Sequence, residues 1–179
     1  MPSVILDPHT PEAEALIESR RSTGADRYDE VWEGVYHMNS APRGRHQFLV
    51  PELVGLLRPV VRRHGLTLVD GVNIGTPDNF RIPDLVVLRE YADDVYFPTA
   101  ELVVEVLSPH DDTPKKLPFY LARGVAELVV ADPVARTIEW FRADGAAWVP
   151  VDRSALLDVG TAELAMEVEW PPVTPPSAR

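Results

Sequence analysis

Apolar positions recur along this chain in two rhythms. Between Gln47 and His64, residues Phe48, Leu49, Leu53, Leu56, Leu57, Val60 and Val61 return at spacings of three and four, the stripe of a helix with one face in a core. Gly65 supplies a left-handed cap after it, and Pro51 is expected in its first turn, where a missing N–H does least harm. Shorter helices are predicted from Pro11 to Arg21, ending near Gly24, and from Lys116 to Arg123, closed by Gly124. The second rhythm is that of strands: Thr67–Val69, Val72–Ile74, Leu85–Leu88, Leu102–Leu107, Glu127–Ala131, Thr137–Phe141 and Ala147–Val151, with a strand pair or bent strand between Arg27 and Met38 around Gly34. Leu85–Leu88 and Leu102–Leu107 are nearly continuous apolar runs, as expected of strands covered on both faces. Leu164–Trp170 alternates weakly, and the Pro-Pro-Val-Thr-Pro-Pro that follows cannot join a sheet and reads as a frayed tail. This order predicts an α/β fold with helices packed on a central sheet.

Composition narrows the chemistry. The chain has 179 residues and no cysteine, which removes thiol nucleophiles, disulfides and cysteine-ligated metal sites together. Apolar runs such as Leu128–Ala131 fall far short of the roughly 20 residues that a membrane span needs. The N-terminus carries Asp7, Glu12 and Glu14 rather than a basic stretch followed by an apolar one, so no signal peptide and a cytoplasmic location are expected, without membrane association. Net charge is −11, which weighs against a broad basic surface for nucleic acid; a bound divalent cation would have to supply local positive charge. Of the 17 basic residues only Lys115 and Lys116 are lysine, and an ammonium is a compact charge whose pKa can move where a guanidinium stays charged and planar.

Acidic residues interrupt apolar surroundings at three places. Asp84 follows Pro83 and precedes Leu85–Leu88, Glu105 sits inside Leu102–Leu107, and Glu30 and Glu33 flank Val31-Trp32 ahead of Gly34. A carboxylate within a buried strand is costly unless it is paired or bound to a metal. Alternation puts Glu105 on the face of Val103 and Leu107, opposite Leu102, Val104 and Val106. If the Asp84 and Glu105 strands are neighbours, their side chains stand about 5 Å apart at Cβ on one face. That suits two oxygen ligands of a hard cation such as Mg²⁺, which keeps waters beside one or two carboxylates. Lys116, eleven residues after Glu105, can turn back on the same cluster. Residue types alone allow a purely structural arrangement too, with Asp84 capping a strand or paired to Arg81 and Glu105 in a buried bridge to Lys116. His46, close to Arg43 and Arg45 at the start of the long helix, is a candidate phosphate contact or a local helix-start residue. His9, His37, His64 and His110 lack ligand spacing, and Arg58, Arg62 and Arg63 read as a solvated helix face. Glu163, Glu167 and Glu169 read as exposed charges, and the four tryptophans as packing residues.

Several segments recur in a telling order: Asp29-Glu30-Val-Trp-Glu33-Gly34, Pro42-Arg-Gly-Arg-His46, Arg81-Ile-Pro83-Asp84-Leu-Val-Val, Leu102-Val-Val-Glu105-Val-Leu-Ser108-Pro109, Lys116-Leu-Pro-Phe-Tyr120, Gly124-Val125 and Val130-Ala-Asp132-Pro133. From about residue 26 to 142 this set resembles the Uma family, grouped with restriction endonucleases in the PD-(D/E)XK nuclease superfamily. The resemblance implies a restriction-endonuclease-like mixed β-sheet flanked by helices over residues 26–170, after an N-terminal helical extension (1–25) and before a Pro-rich tail (171–179). It also implies Mg²⁺- or Mn²⁺-dependent hydrolysis of DNA phosphodiesters. Asp84, Glu105 and Glu30 would be metal ligands, Lys116 would assist the attacking water, and Glu33, Arg43, Arg45 and His46 would be candidate substrate contacts. Leu107 stands where the wider superfamily carries its lysine, a role that Lys116 on the next helix would take over. DNA binding that is weak or assisted, and a homodimer, are the implied associations; the alternative is an inactive nucleic-acid-binding or assembly module of the same fold.

Overall fold

The computed structural model describes residues 4–109 and 112–172. Its elements run β1 (Val4–Leu6), α1 (Pro11–Thr23), β2 (Glu30–Trp32), β3 (Val35–Met38), α2 (Gly44–Arg63), β4 (Thr67–Val69), β5 (Asn73–Thr76), β6 (Asn79–Arg81), β7 (Leu85–Leu88), β8 (Tyr96–Phe97), β9 (Leu102–Val106), α3 (Thr113–Ala122), β10 (Glu127–Asp132), β11 (Thr137–Asp144), β12 (Ala147–Pro150) and α4 (Thr161–Glu167). No helix among the described residues is long and apolar enough to cross a membrane.

The strands form two six-stranded sheets, ordered β1-β3-β2-β6-β5-β8 and β12-β11-β10-β9-β7-β4. The second sheet is the core of the molecule. β9 and β10 pair in parallel and are joined by α3, a βαβ crossover; β7 runs antiparallel to β9. Alternation along the central strands sends Leu85, Val87, Leu102, Val104 and Val106 to one face, where Leu49, Leu53, Leu57 and Val61 of α2 cover them together with Leu164 of α4. Val86, Leu88, Val103, Leu128 and Val130 face the other way, under Phe119 and Tyr120 of α3 and against Ile74 and Phe97 from the first sheet. A fully buried four-residue strand at roughly 0.8 kcal/mol per buried methylene is a strong organiser, which is why β7 and β9 follow the apolar runs so closely.

The structure departs from the sequence reading in four places. α2 starts at Gly44, earlier than expected, so Pro51 lies in its interior, as does Pro59; both prolines are exposed, and the carbonyls deprived of a partner face water. The region predicted to alternate weakly after Leu164 is instead α4, because Leu164 and Val168 are one helical turn apart and dock into the α2 side of the core. Instead of one central sheet there are two, the first built from short strands (β1, β6, β8) that the apolar pattern does not mark. Pro171, at the start of the Pro-rich segment, is buried and its carbonyl accepts from Arg136 (3.4 Å), so this residue is held against the fold rather than frayed; residues 173–179 and His110 lie outside the described residues.

Candidate active site

Asp84 immediately precedes β7, and extending the β7–β9 register one step beyond Leu85 opposite Val104 sets it against Glu105. Both side chains line one cleft of about 100 Å³, together with Glu30, Lys116, His46 and Trp32. The cleft forms where four elements end or begin: β2 contributes Glu30, β9 Glu105, and the first turns of α2 and α3 contribute His46 and Lys116. Two helix N-termini therefore direct their positive ends at a carboxylate cluster.

Each carboxylate is fixed differently. Asp84 accepts from the Val106 N–H at 2.7 Å through Oδ2, and its Oδ1 lies 2.9 Å from His46 Nε2. Glu105 accepts from the Tyr120 hydroxyl at 2.5 Å. The same oxygen, Oε1, lies 3.5 Å from Lys116 Nζ. Glu30 uses both oxygens: Oε1 accepts from the Ile82 N–H (2.8 Å) and meets Lys116 Nζ at 2.9 Å, and Oε2 accepts from Trp32 Nε1 at 2.8 Å. Trp32 is itself clamped, its ring stacked on His37 (centroids 4.3 Å apart) and on the Arg81 guanidinium (4.4 Å), whose other face rests on Phe119 at 4.1 Å. Glu30 and Glu105 are buried, whereas the Asp84 side chain retains 19% exposure at the mouth.

Three carboxylates thus face one ammonium. Burial pushes the Glu105 carboxyl up to about 8, against the pull of Lys116 and with the neighbouring Asp84 and Glu30 charges adding to the rise. Burial lowers Lys116, but Glu105, Glu30 and Asp84 outweigh it and hold the ammonium above its ordinary range, so Lys116 is a fixed cation rather than a base. Burial and the same carboxylates keep the Tyr120 hydroxyl protonated as a donor. An anionic excess held out of water is unfavourable by itself; it is the setting in which a hard cation binds.

The donor set fits such a cation. Among the described residues no three His, Asp or Glu side chains are already gathered as a metal-binding group. Glu30, expected as a ligand, has both oxygens engaged, by the Ile82 N–H and Lys116 and by Trp32 Nε1, as Asp84 has, by the Val106 N–H and His46; Glu105 is held through Oε1. Asp84 and Glu105, opposed across β7 and β9, are a pair that suits Mg²⁺ or Mn²⁺, which complete their shells with water and phosphate. Glu33 is outside the cleft: 72% of its side chain is exposed, its φ is +46°, and it bridges Arg81 at 3.2 Å. Arg81 accordingly does not pair with Asp84; its other contacts are the carbonyls of Val31 and Phe80 and the amide oxygen of Asn79. Arg43 and Arg45 are exposed beside the mouth. The anticipated Glu105–Lys116 bridge is present as one limb of this network. Tyr120 and Trp32 went unrecognised as site residues, although spacing hints at both: Tyr120 follows Lys116 by one helical turn and Trp32 shares a strand face with Glu30.

Comparison with known proteins agrees with this architecture. The family model Uma2, described as putative restriction endonuclease, matches residues 14–172. Curated proteins yield no match. Among solved structures, the chain is similar to a putative nuclease belonging to DUF820 from Anabaena variabilis, with a TM-score of 0.61 and 18% identity over 78% of this chain and 90% of that one. At that identity the likeness establishes the fold, which is the restriction-endonuclease-like α/β fold.

Proposed function

Because the chain belongs to the Uma2 family of putative restriction endonucleases, we propose that its cleft hydrolyses phosphodiester bonds of DNA with the help of a divalent cation. The observation that carries this reading is the opposition of Asp84 and Glu105 across β7 and β9 beside the half-buried ammonium of Lys116. Asp84 and Glu105 would hold Mg²⁺ or Mn²⁺, which supplies a polarised water and offsets charge on the phosphate. Lys116, held charged by Glu30, stands ready to orient the incoming water and to meet the charge that grows on the phosphoryl oxygens. Tyr120 donates to Glu105 Oε1 and leaves Oε2 for the cation. His46 holds Asp84 from the α2 side.

Calorimetric titration of Mg²⁺ or Mn²⁺ into the parent chain and Asp84→Asn, alongside a plasmid-cleavage assay, tests it. The parent should bind cation and cut; Asp84→Asn should lose cation affinity and cut slower by roughly 10²–10³-fold. Cation-independent behaviour of both chains would instead support an inactive module in which the cluster serves only as a salt bridge.

A further inference from the structure

Past His46 and Ser108 the carboxylate cleft continues into a second, larger one of about 580 Å³. Its walls are unlike the first. Phe48, Leu107, Pro133 and Val134 make it apolar, and Arg43 and Arg45 stand at its rim. Leu107 is the position at which the wider superfamily would carry a lysine, so the wall that could have been cationic is greasy. The rim is also the start of α2, a 20-residue helix with no side-chain cap and no acidic residue in its first turn; its first N–H groups and the helix dipole present positive charge. His46 forms the wall shared by the two clefts. It is 8% exposed, and its Nδ1 has no hydrogen-bond partner.

A phosphate-sized positive rim beside an apolar slot, opening directly from a phosphodiester-cutting cleft, matches one feature of DNA. A paired, stacked base shows the protein mainly polar groove edges, apart from the thymine methyl, and its backbone, while its π-face stays hidden in the stack and out of reach of an apolar slot. An unpaired nucleotide offers a phosphate and a bare π-face side by side. Net charge argues the same way: −11 weighs against a broad cationic track for a duplex, whereas two arginines and a helix N-terminus suffice for one or two phosphates.

We propose that the second cleft is a subsite for an unpaired nucleotide flanking the scissile phosphate, making single-stranded or frayed DNA the preferred substrate. The inference rests on the nuclease reading for the identity of its ligand and deepens it. The test is fluorescence anisotropy of the full chain with a labelled single strand and with the blunt duplex of the same sequence, Ca²⁺ replacing Mg²⁺ to permit binding without turnover. The single strand should bind at least tenfold more tightly. Val134→Asp, a change at a residue 63% exposed and therefore harmless to the core, should erase most of that preference. Joint Arg43→Ala and Arg45→Ala should flatten the dependence of log affinity on log salt by roughly 0.7 per arginine. Equal binding of both forms, undetectable binding of the single strand, or indifference to Val134→Asp would overturn the subsite. Failure of the nuclease reading looks different: strand preference would persist while Asp84→Asn left cleavage unchanged.

Discussion

Two buried glutamates in neighbouring strands have opposite environments. Glu127 is surrounded by donors: Trp140 Nε1, Ser154 Oγ and the N–H groups of Ala155 and Leu156 all lie within 2.6–3.0 Å of its oxygens. Its charge is fully solvated by protein, so it ties β10 to β11 and to the turn around Ser154. Glu105 has one hydroxyl, one distant ammonium and two anionic neighbours. Without a cation its carboxyl is pushed from 4.5 up to about 8, so the folded chain holds a proton there that the unfolded chain releases. Stability from this group is complete below pH 4.5 and drains away as pH rises through 8. Lys116, whose charged form is favoured in the fold, adds stability that is lost only above its ordinary 10.5 and does not cancel the effect in that window. Urea midpoints measured with a chelator should therefore fall between pH 4.5 and 8 relative to those of Glu105→Gln, a comparison that removes the opposite contribution of His37, which burial holds below its ordinary 6.5 in both chains; saturating Mg²⁺ should flatten the decline, since binding needs the deprotonated form. A midpoint that rises across the window relative to that variant would contradict the assignment of Glu105.

At the level of elements, the approach to the site depends on β5 and β6, a hairpin in which Gly75 opposes Phe80. Gly75 has φ +130°, and a Cβ there would collide with the Asn79 carbonyl oxygen and the Phe80 Cα and press on the Phe119 ring. Phe119 is also the floor under Arg81. Gly75→Ala should cost roughly 2–4 kcal/mol, from disallowed backbone and overpacking together, read as a lower urea midpoint with an unchanged slope. The elements that could be read in the sequence were those organised by their own apolar content: β7 and β9, whose runs are bounded by Pro83 and Ser108-Pro109, and α2 with its stripe. The Asp84–Glu105 juxtaposition was legible only on condition that the two strands are neighbours: alternation fixes which way each side chain points, and the pairing of β7 with β9 supplies the rest. The strands β1, β6 and β8 are two or three residues long, too short for an alternation to show; β1 and β8 pair with strands 20 or more residues away, and β6 closes a hairpin on β5 and meets β2 at Val31. Tyr120 and the engagement of Glu30 escaped as well: each depends on where α3 and Ile82 come to rest.

On the scale of the whole molecule, the proposed activity has a stoichiometry set by the carboxylate cleft found among the described residues. One such cleft would hydrolyse one strand at a time, so closed circular DNA should pass through a nicked circle before linear product appears. Direct appearance of linear product, with sedimentation of a two-chain species, would indicate two clefts working in concert, the homodimer that family resemblance suggests. The surface charge of −11 bears on both outcomes, since two such chains repel one another more strongly at low salt.

Helix α3 connects the parallel strands β9 and β10 while its first turn carries Lys116 and its second Tyr120. The ammonium and the phenol reach Glu105 only once that crossover has closed, and Glu30 reaches them only after the first sheet has docked. Contacts between such remote stretches form late in folding. A nascent or partly folded chain consequently lacks the assembled cleft, and the hydrolysis proposed for it would be withheld until the tertiary structure is complete.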